Sequence, residues 1–508
     1  MPQSQVVTRY SHFINGEKRE PVSGRYIPVL NPATNAVIAE AAEGTAEDVD
    51  VAVAAAREAF QSAAWRQMPA DERSKLLYAI ANTVMANAEE LAQLEVAASG
   101  GTITRVMGMD IPAVVDLFML LAEEVKHFPF VENLPARPLP EPVHTQVWRQ
   151  PIGVCGLITA WNVPLLLFAF KVAPALAVGN TVVLKPSELT PTSALRLAEL
   201  LSEILPKGVL NVVNGYGEVV GDAMCRHPGI DKISFTGSTR VGKQVQVAAA
   251  ETMKRVSVEL GGKGPGIVLP DADLEQVAYG ALWGVYLNGG QACESGTRLL
   301  VHQSIHDELV AKLAEISRRI VLGDPADPAV GMGPMSSVAH GKKVLEDVRS
   351  ALEEGARIVC GGGRAIVAGC EDGFFVEPTV LADVDNTMKV AREEIFGPVL
   401  SVISFNSEEE AIAIANDTDY GLSAGIWTSD VIKAQQMAQQ LQAGSIWIND
   451  WHMIRTDAPF GGFKQSGLGR ELGKDCLHHY VEVKSVSTAF ERNASKKPLY
   501  PLVHRELA

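Results

Sequence analysis

Short apolar runs closed off by glycine or proline alternate with segments of helical period along most of this chain. From residue 152 the runs are IGVCGLIT, TVVLK, VLNVVN, KISFTG and RVSVEL. The period between them predicts helices over roughly 164–177, 192–204, 217–226 and 240–252. A second series runs from about 266 to 450, with strands at GIVL, RLLV, ARIVC, VLSVISF, AGIWT and GSIWIN. Runs apolar throughout, separated by helices, predict mostly parallel sheets covered on both faces. Ahead of these, residues 13–40 read as short strands and turns, with Asn15-Gly16 as a hairpin signal. Thr45 to Asp48 resembles a capping box opening a helix with Val49, Val53, Ala56 and Phe60 on its apolar face. Further helix is predicted over about 71–98 and 110–127, then a proline-rich stretch at 129–142. VHTQVWRQ and, near the end, YVEVKSVS alternate like exposed or edge strands. No internal repeat stands out. A chain of 508 residues exceeds what one hydrophobic core organises, so two or three domains are expected.

Composition narrows the partners. Hydrophobic residues are 47%, charged residues 20%, and the net charge is −16, with no long Lys/Arg block. Such a surface repels phosphate backbones and anionic lipid, so neither nucleic acid nor membrane is an expected partner. The N-terminal segment lacks the apolar region of a secretory signal. No run reaches the roughly 18 apolar residues of a membrane span. The nearest, 163–178, is interrupted by Pro164, Lys171 and Pro174. Six cysteines without CxxC spacing point to a reducing cytoplasm rather than a disulfide framework. His478 and His479 are adjacent and no HExxH occurs, so no catalytic metal is expected.

Chemistry concentrates in a few places. Cys155, Cys225, Cys360, Cys370 and Cys476 sit in apolar or element-like surroundings and read as small buried hydrophobes. Cys293 lies in the polar segment NGGQACESGTR, where Gly289 and Gly290 allow close backbone approach to a ligand. On the residues alone it is a candidate nucleophile or another buried thiol. The segment from Gly237 to Lys243 looks like a P-loop, but Gln244 replaces the hydroxyl a magnesium ion needs. The chain also lacks GxGxxG after a strand. Gly237 and Ser238 nevertheless end a strand and open a helix, whose N-terminus suits a pyrophosphate.

NGGQACESGTR resembles the nucleophile segment of the NAD(P)-dependent aldehyde dehydrogenases of the hydrolytic type, and VSVELGGKGPGIV resembles their general-base segment. ITAWNVPLLLFAFKVAPALAVGNTVVLKPSELTP, ISFTGSTRVGK, EEIFGPV and APFGGFKQSGLGRE match further segments of that family in the family's order. The resemblance implies an α/β fold of two doubly wound parallel-sheet domains, a Rossmann-like cofactor domain and a catalytic domain, with a small β oligomerisation element. It divides the chain into 1–128 with 151–262 for the cofactor, 263–465 for catalysis, and 129–150 with 478–495 for assembly into a dimer or tetramer.

The implied activity is oxidation of a small-molecule aldehyde to the carboxylic acid through a thioester on Cys293. The Asn162 amide and the Cys293 backbone N–H would hold the oxyanion, Glu259 would activate the hydrolytic water, and Lys171 and Glu471 would relay a proton or merely pair. Around the cofactor the resemblance places Ile158, Thr159, Trp161, Lys185, Ser187, Glu188, Gly217, Phe235, Gly237, Ser238, Val241, Leu260, Glu394 and Phe396. Glu188 favours NAD over NADP, because a carboxylate accepts from a free 2′-hydroxyl and repels a 2′-phosphate. The substrate mouth would use Val163, Leu167, Phe168, Phe170, Trp451, His452, Ile454 and Arg455. That set points to a medium-chain or aromatic aldehyde, with betaine aldehyde and small semialdehydes open. Glu294 follows the nucleophile where many relatives carry a neutral residue, and its orientation is open. Two alternatives stand: a coenzyme A-acylating enzyme, and a non-catalytic binding or structural protein on the same scaffold.

Overall fold

The computed structural model describes residues 7–137 and 143–507, so part of the proline-rich stretch at 129–142 lies outside the described residues. Two large sheets carry the fold. In the first, the strands lie in the order Gly467–Leu468, Arg255–Glu259, Lys232–Thr236, Val154–Ile158, Thr181–Lys185, Leu210–Val212, His12–Ile14 and Glu17–Arg19. The five central strands are parallel. The edge pairings are antiparallel. Asn15 and Gly16, both at positive φ, make the turn between the last two strands. Strand order reverses beside Val154–Ile158, and in an open α/β sheet the crevice at such a reversal, off the carboxyl ends, is where ligands bind.

The second sheet runs Arg357–Cys360, Thr379–Ala382, Val399–Phe405, Arg298–His302, Pro265–Val268, Ser423–Trp427 and Ser445–Ile448. It is parallel except at its first pairing. Both sheets are buried on two faces, as continuous apolar runs require. Leu157 and Leu184 pack into one cluster while Val154, Ile158 and Val183 pack into another on the opposite face. Leu300 and Ile403 divide from Leu299 and Val402 in the same way. The strand Thr379–Ala382 is one the periodicity did not single out.

VHTQVWRQ and YVEVKSVS, which alternate like exposed or edge strands, pair with each other. Val143–Pro151 and Val481–Ala489 run antiparallel over nine residue pairs, with Val131–Asn133 on the other side.

One helical prediction is corrected, and the helix expected over 110–127 is present as Ile111–His127. The helix expected over 71–98 is two, Ala70–Ala86 and Ala88–Ser99, separated at Asn87. The Asn87 side-chain amide donates to the Thr83 carbonyl at 2.8 Å, adding to the bond from its own backbone N–H at 3.2 Å. The helix expected from 110 is preceded by the turn Ile103–Arg105 and a wide π-turn, Val106–Asp110. Pro112 has no N–H and its ring crowds the preceding turn, which accounts for the widening just before it. Among the described residues no helix is long and apolar enough to cross a membrane. All six cysteines are free.

Candidate active site

Strand ends and the turns that follow them bring the predicted residues to one cleft. Glu259 ends the strand Arg255–Glu259, and Gly467–Leu468 pairs alongside it. Asn162 sits in the turn after Val154–Ile158, just ahead of the buried helix Pro164–Ala177. Cys293 lies on the loop between the turn Leu287–Gly290 and the strand Arg298–His302. The three side chains line a cavity of about 460 Å³, together with Trp161, Gly237, Ser238, Glu394 and Phe396 on one side and Val163, Leu167, Phe170, His452 and Ile454 on the other.

The loop carrying Cys293 is clamped from several directions. The Gln291 side chain bonds the Asn288 carbonyl at 2.9 Å and accepts from the Ser336 N–H at 2.8 Å. A Cβ at Gly262 would stand 2.3 Å from the Cys293 carbonyl oxygen, so the backbone there packs directly on a glycine. Gly290, expected to admit a ligand, instead lets the chain pass Gly397: a Cβ would stand 2.1 Å from that carbonyl. The Asn162 amide donates to the Gln291 carbonyl at 3.0 Å, leaving its second N–H for the cleft. Asn288 braces this pair, donating to the Asn162 carbonyl at 3.1 Å from a left-handed backbone (φ 54°). Sequence reasoning missed Asn288. Its signal was an asparagine before two glycines, a residue type that tolerates positive φ.

Electrostatically the cleft is acidic. Burial, then the Glu471 charge, raises the Glu259 carboxyl well above the ordinary range. Glu259 Oε1 is buried without a hydrogen-bond partner. Burial and the neighbouring Glu259 and Glu294 push the Cys293 thiol well above its ordinary value. Glu294 faces that thiol: its Oε2 is 3.3 Å from Sγ, and its Oε1 is 2.9 Å from His452 Nδ1. Lys171 and Glu471 form a buried ion pair, and Lys171 Nζ also donates to Ser234 Oγ at 3.1 Å.

On the other side, Glu394 accepts from the Gly262 N–H at 3.1 Å, and burial lifts its carboxyl to about 7. A Cβ at Gly261 would stand 2.3 Å from Glu394 Oε2, so the glycine makes room for the carboxylate. Trp161 packs edge-on against Phe396 at 5.3 Å. Ser238 caps the helix Thr239–Ala250 by accepting from the Val241 N–H at 3.4 Å. Leu260 fills the space over Gly242, and Phe235 lies under Gly237. Lys185 Nζ reaches the Pro186 carbonyl at 2.9 Å and Glu188 at 3.3 Å, at the end of its strand. Thr159 N–H donates to the Lys185 carbonyl at 3.1 Å, and Ser187 Oγ accepts from the Leu189 N–H at 3.3 Å. Ile158 and Lys185 both lie within 4.0 Å of a Cβ placed at Gly221, in the turn Gly217–Gly221.

Three residues expected at the mouth lie elsewhere. Trp451 is 1% exposed, stacked on Trp427 at 5.8 Å, with Nε1 donating to the Glu294 carbonyl at 2.9 Å. Phe168 is wholly buried in the core, and Arg455 is an exposed partner of Asp457. Trp427 and Trp447 pack on the Trp451 ring and hold it in the core. In place of those three residues, the turn Ile103–Arg105 contributes Arg105 and the π-turn contributes Met109 and Asp110 to the wall. Among the described residues no group of three or more His, Cys, Asp or Glu side chains is arranged to hold a metal ion.

Fold and cleft define a two-sheet α/β protein with a thiol, an amide donor and a buried carboxylate at the junction of its sheets. The aldehyde dehydrogenase family model matches residues 19–486. Aldehyde dehydrogenase 1A1 of Ovis aries is 42% identical over 500 residues, covering 97% of this chain and 98% of its own. Retinal dehydrogenase 2 of Homo sapiens is 42% identical over 503 residues, covering 97% and 95%. Among solved structures, betaine aldehyde dehydrogenase from Staphylococcus aureus in complex with NAD+ superposes with a TM-score of 0.93 at 39% identity, covering 95% of each chain. An aldehyde dehydrogenase from Bacillus cereus in its NAD+ complex gives 0.92 at 41%, covering 95% and 97%. The chain belongs to the aldehyde dehydrogenase family.

Proposed function

We propose that this chain oxidises an aldehyde to its carboxylic acid with NAD, through a covalent adduct on Cys293. The observation that carries this is the convergence of Cys293, Asn162 and Glu259 on one cavity. The cofactor half of that cavity fits a dinucleotide in two respects. It offers a capped helix N-terminus at Ser238, and the buried Thr236 hydroxyl there has no hydrogen-bond partner. Trp161, Gly237, Ser238, Glu394 and Phe396 would hold the nicotinamide and pyrophosphate end, and Lys185 and Glu188 the adenine ribose. The negative Glu188 favours a free 2′-hydroxyl, hence NAD over NADP.

Cys293 thiolate adds to the carbonyl carbon, and the new oxyanion is held by the Asn162 amide and the Cys293 N–H. When bound, NAD supplies the hydride acceptor that turns this adduct into a thioester. Glu259, its carboxyl raised by burial, then takes a proton from water, whose oxygen attacks the thioester; the acid leaves and the thiol is regenerated. Lys171 and Glu471 lie close enough to act on Glu259 electrostatically and offer a route for that proton. Presence of Glu259 argues against the coenzyme A-acylating alternative. We assign 1–128 with 151–262 to the cofactor and 263–465 to catalysis. The apolar lining by Val163, Leu167, Phe170, Ile454 and Phe460 favours a medium-chain or aromatic aldehyde.

Cys293→Ser is the direct test. NADH absorbance with an aldehyde panel should show no turnover, while fluorescence titration still shows NAD binding. Near-wild-type turnover in the folded variant would overturn the mechanism.

A further inference from the structure

The nucleophile has a charged neighbour that the chemistry above does not use. Glu294 is buried, 7% exposed, and is held at both ends. Its backbone carbonyl accepts from Ser423 Oγ at 2.8 Å and Trp451 Nε1 at 2.9 Å. Its carboxylate spans the Cys293 thiol at 3.3 Å and His452 Nδ1 at 2.9 Å. His452 adopts a left-handed backbone (φ 55°), and its ring stands edge-on to Trp283 at 5.5 Å. Positive φ is costly for a residue of this size, so the surrounding packing must hold it there. The pair is a built feature of the wall.

A carboxylate can accept a hydrogen bond from a thiol but can only repel a thiolate. The contact therefore exists with Cys293 protonated and must break when it ionises. We propose that Glu294, braced by His452, is a positioning residue that parks Cys293 as a thiol on its own side of the cleft and sets the pH at which the nucleophile is released. The proposal rests on the assignment of Cys293 as the nucleophile. Other charges face the same groups. Glu259 and Glu394 also face the thiol, and both oppose its ionisation. Asp110, ion-paired with Arg105 at 3.0 Å, faces Glu294 from the π-turn. Lys171 and Glu471 act on Glu259 from behind. Glu294 differs from these carboxylates in its hydrogen-bonded position against Sγ, with an imidazole fixing its orientation.

The parked state predicts a slow-reacting thiol. The test is the rate of iodoacetamide alkylation of Cys293 in the full-length protein without aldehyde. It is followed from about pH 6 to about pH 10 and localised by peptide mass mapping. The carbon of the reagent bonds to sulfur, iodide leaves, and the thiol proton goes to buffer. Glu294→Gln keeps shape without charge and should lower the inflection by about one pH unit, giving about tenfold faster alkylation near neutrality. Glu294→Asp keeps the charge but withdraws it by one methylene, and should give an intermediate inflection; it also carries the test if the Gln variant does not fold. An unchanged inflection in the Gln variant overturns the proposal. So does a raised inflection with slower alkylation, which would make Glu294 a base for the thiol. No aldehyde takes part, so the two failures are distinguishable: a shifted inflection in a chain that oxidises no aldehyde would sink the proposed function while retaining the control of Cys293 ionisation by Glu294.

Discussion

At Glu259, burial and the negative Glu471 push the carboxyl the same way, and only Lys171 and the Cys293 thiol oppose them. A base so placed works only after it has lost its proton, so the hydrolytic half-reaction should quicken as pH rises through the raised value. In the proposed mechanism the Asn162 amide acts earlier, on the adduct oxygen. The two residues should therefore fail at different steps. With saturating NAD, Glu259→Gln should release about one NADH per site quickly and then turn over slowly, leaving an acyl adduct visible by intact mass. Asn162→Ala should slow the first turnover itself, by about 100- to 1000-fold. Stopped-flow absorbance separates the two. A Glu259→Gln protein without a burst would move that residue to an earlier step.

The helix Pro164–Ala177 places Lys171 behind the active site, yet Val163 gives it no side-chain cap. Glu95, on the helix Ala88–Ser99, does so instead: Oε1 accepts from the Leu165 N–H at 3.0 Å and Oε2 from the Ser193 hydroxyl at 2.6 Å. Burial raises this carboxyl from 4.5 to about 7. In that window the unfolded chain loses the proton and the folded chain keeps it. The group's contribution to stability is thus fully present below 4.5 and is lost as pH rises through about 7. Glu95→Gln keeps a carbonyl acceptor and removes the titration, so its urea midpoint should fall less than wild type between about pH 5 and about pH 8. Equal pH slopes would show that Glu95 is not the titrating group. Glu95→Ala strands the Leu165 N–H and the Ser193 hydroxyl and should cost about 1–3 kcal/mol.

For the whole molecule, the small sheet is the open question that assembly would answer. Among the described residues Val481–Ala489 pairs on one side only, and Val483 on it is 60% exposed. An unpaired, apolar-bearing edge is a surface that a second copy can cover. We expect a dimer or tetramer in sedimentation velocity, and a shift toward monomer for Val483→Asp. A monomeric wild type would sink this reading.

Strand positions were legible because parallel strands buried on two faces must be apolar throughout: TVVLK and VLSVISF coincide with Thr181–Lys185 and Val399–Phe405. The cleft residues were legible through motifs whose spacing is local, such as the strand end at Glu259 and the helix opening at Ser238. Trp451 could not be placed by its own segment, because what buries it is Trp427 and Trp447 together with a carbonyl 157 positions away. The same holds for Asn288 bracing a residue 126 positions earlier, and for Gly290, whose missing side chain admits the backbone of Gly397. Glu294 is the sharpest case. Sequence placed a carboxylate beside Cys293, but its direction depends on His452, 158 positions on, and on packing that only the folded chain assembles.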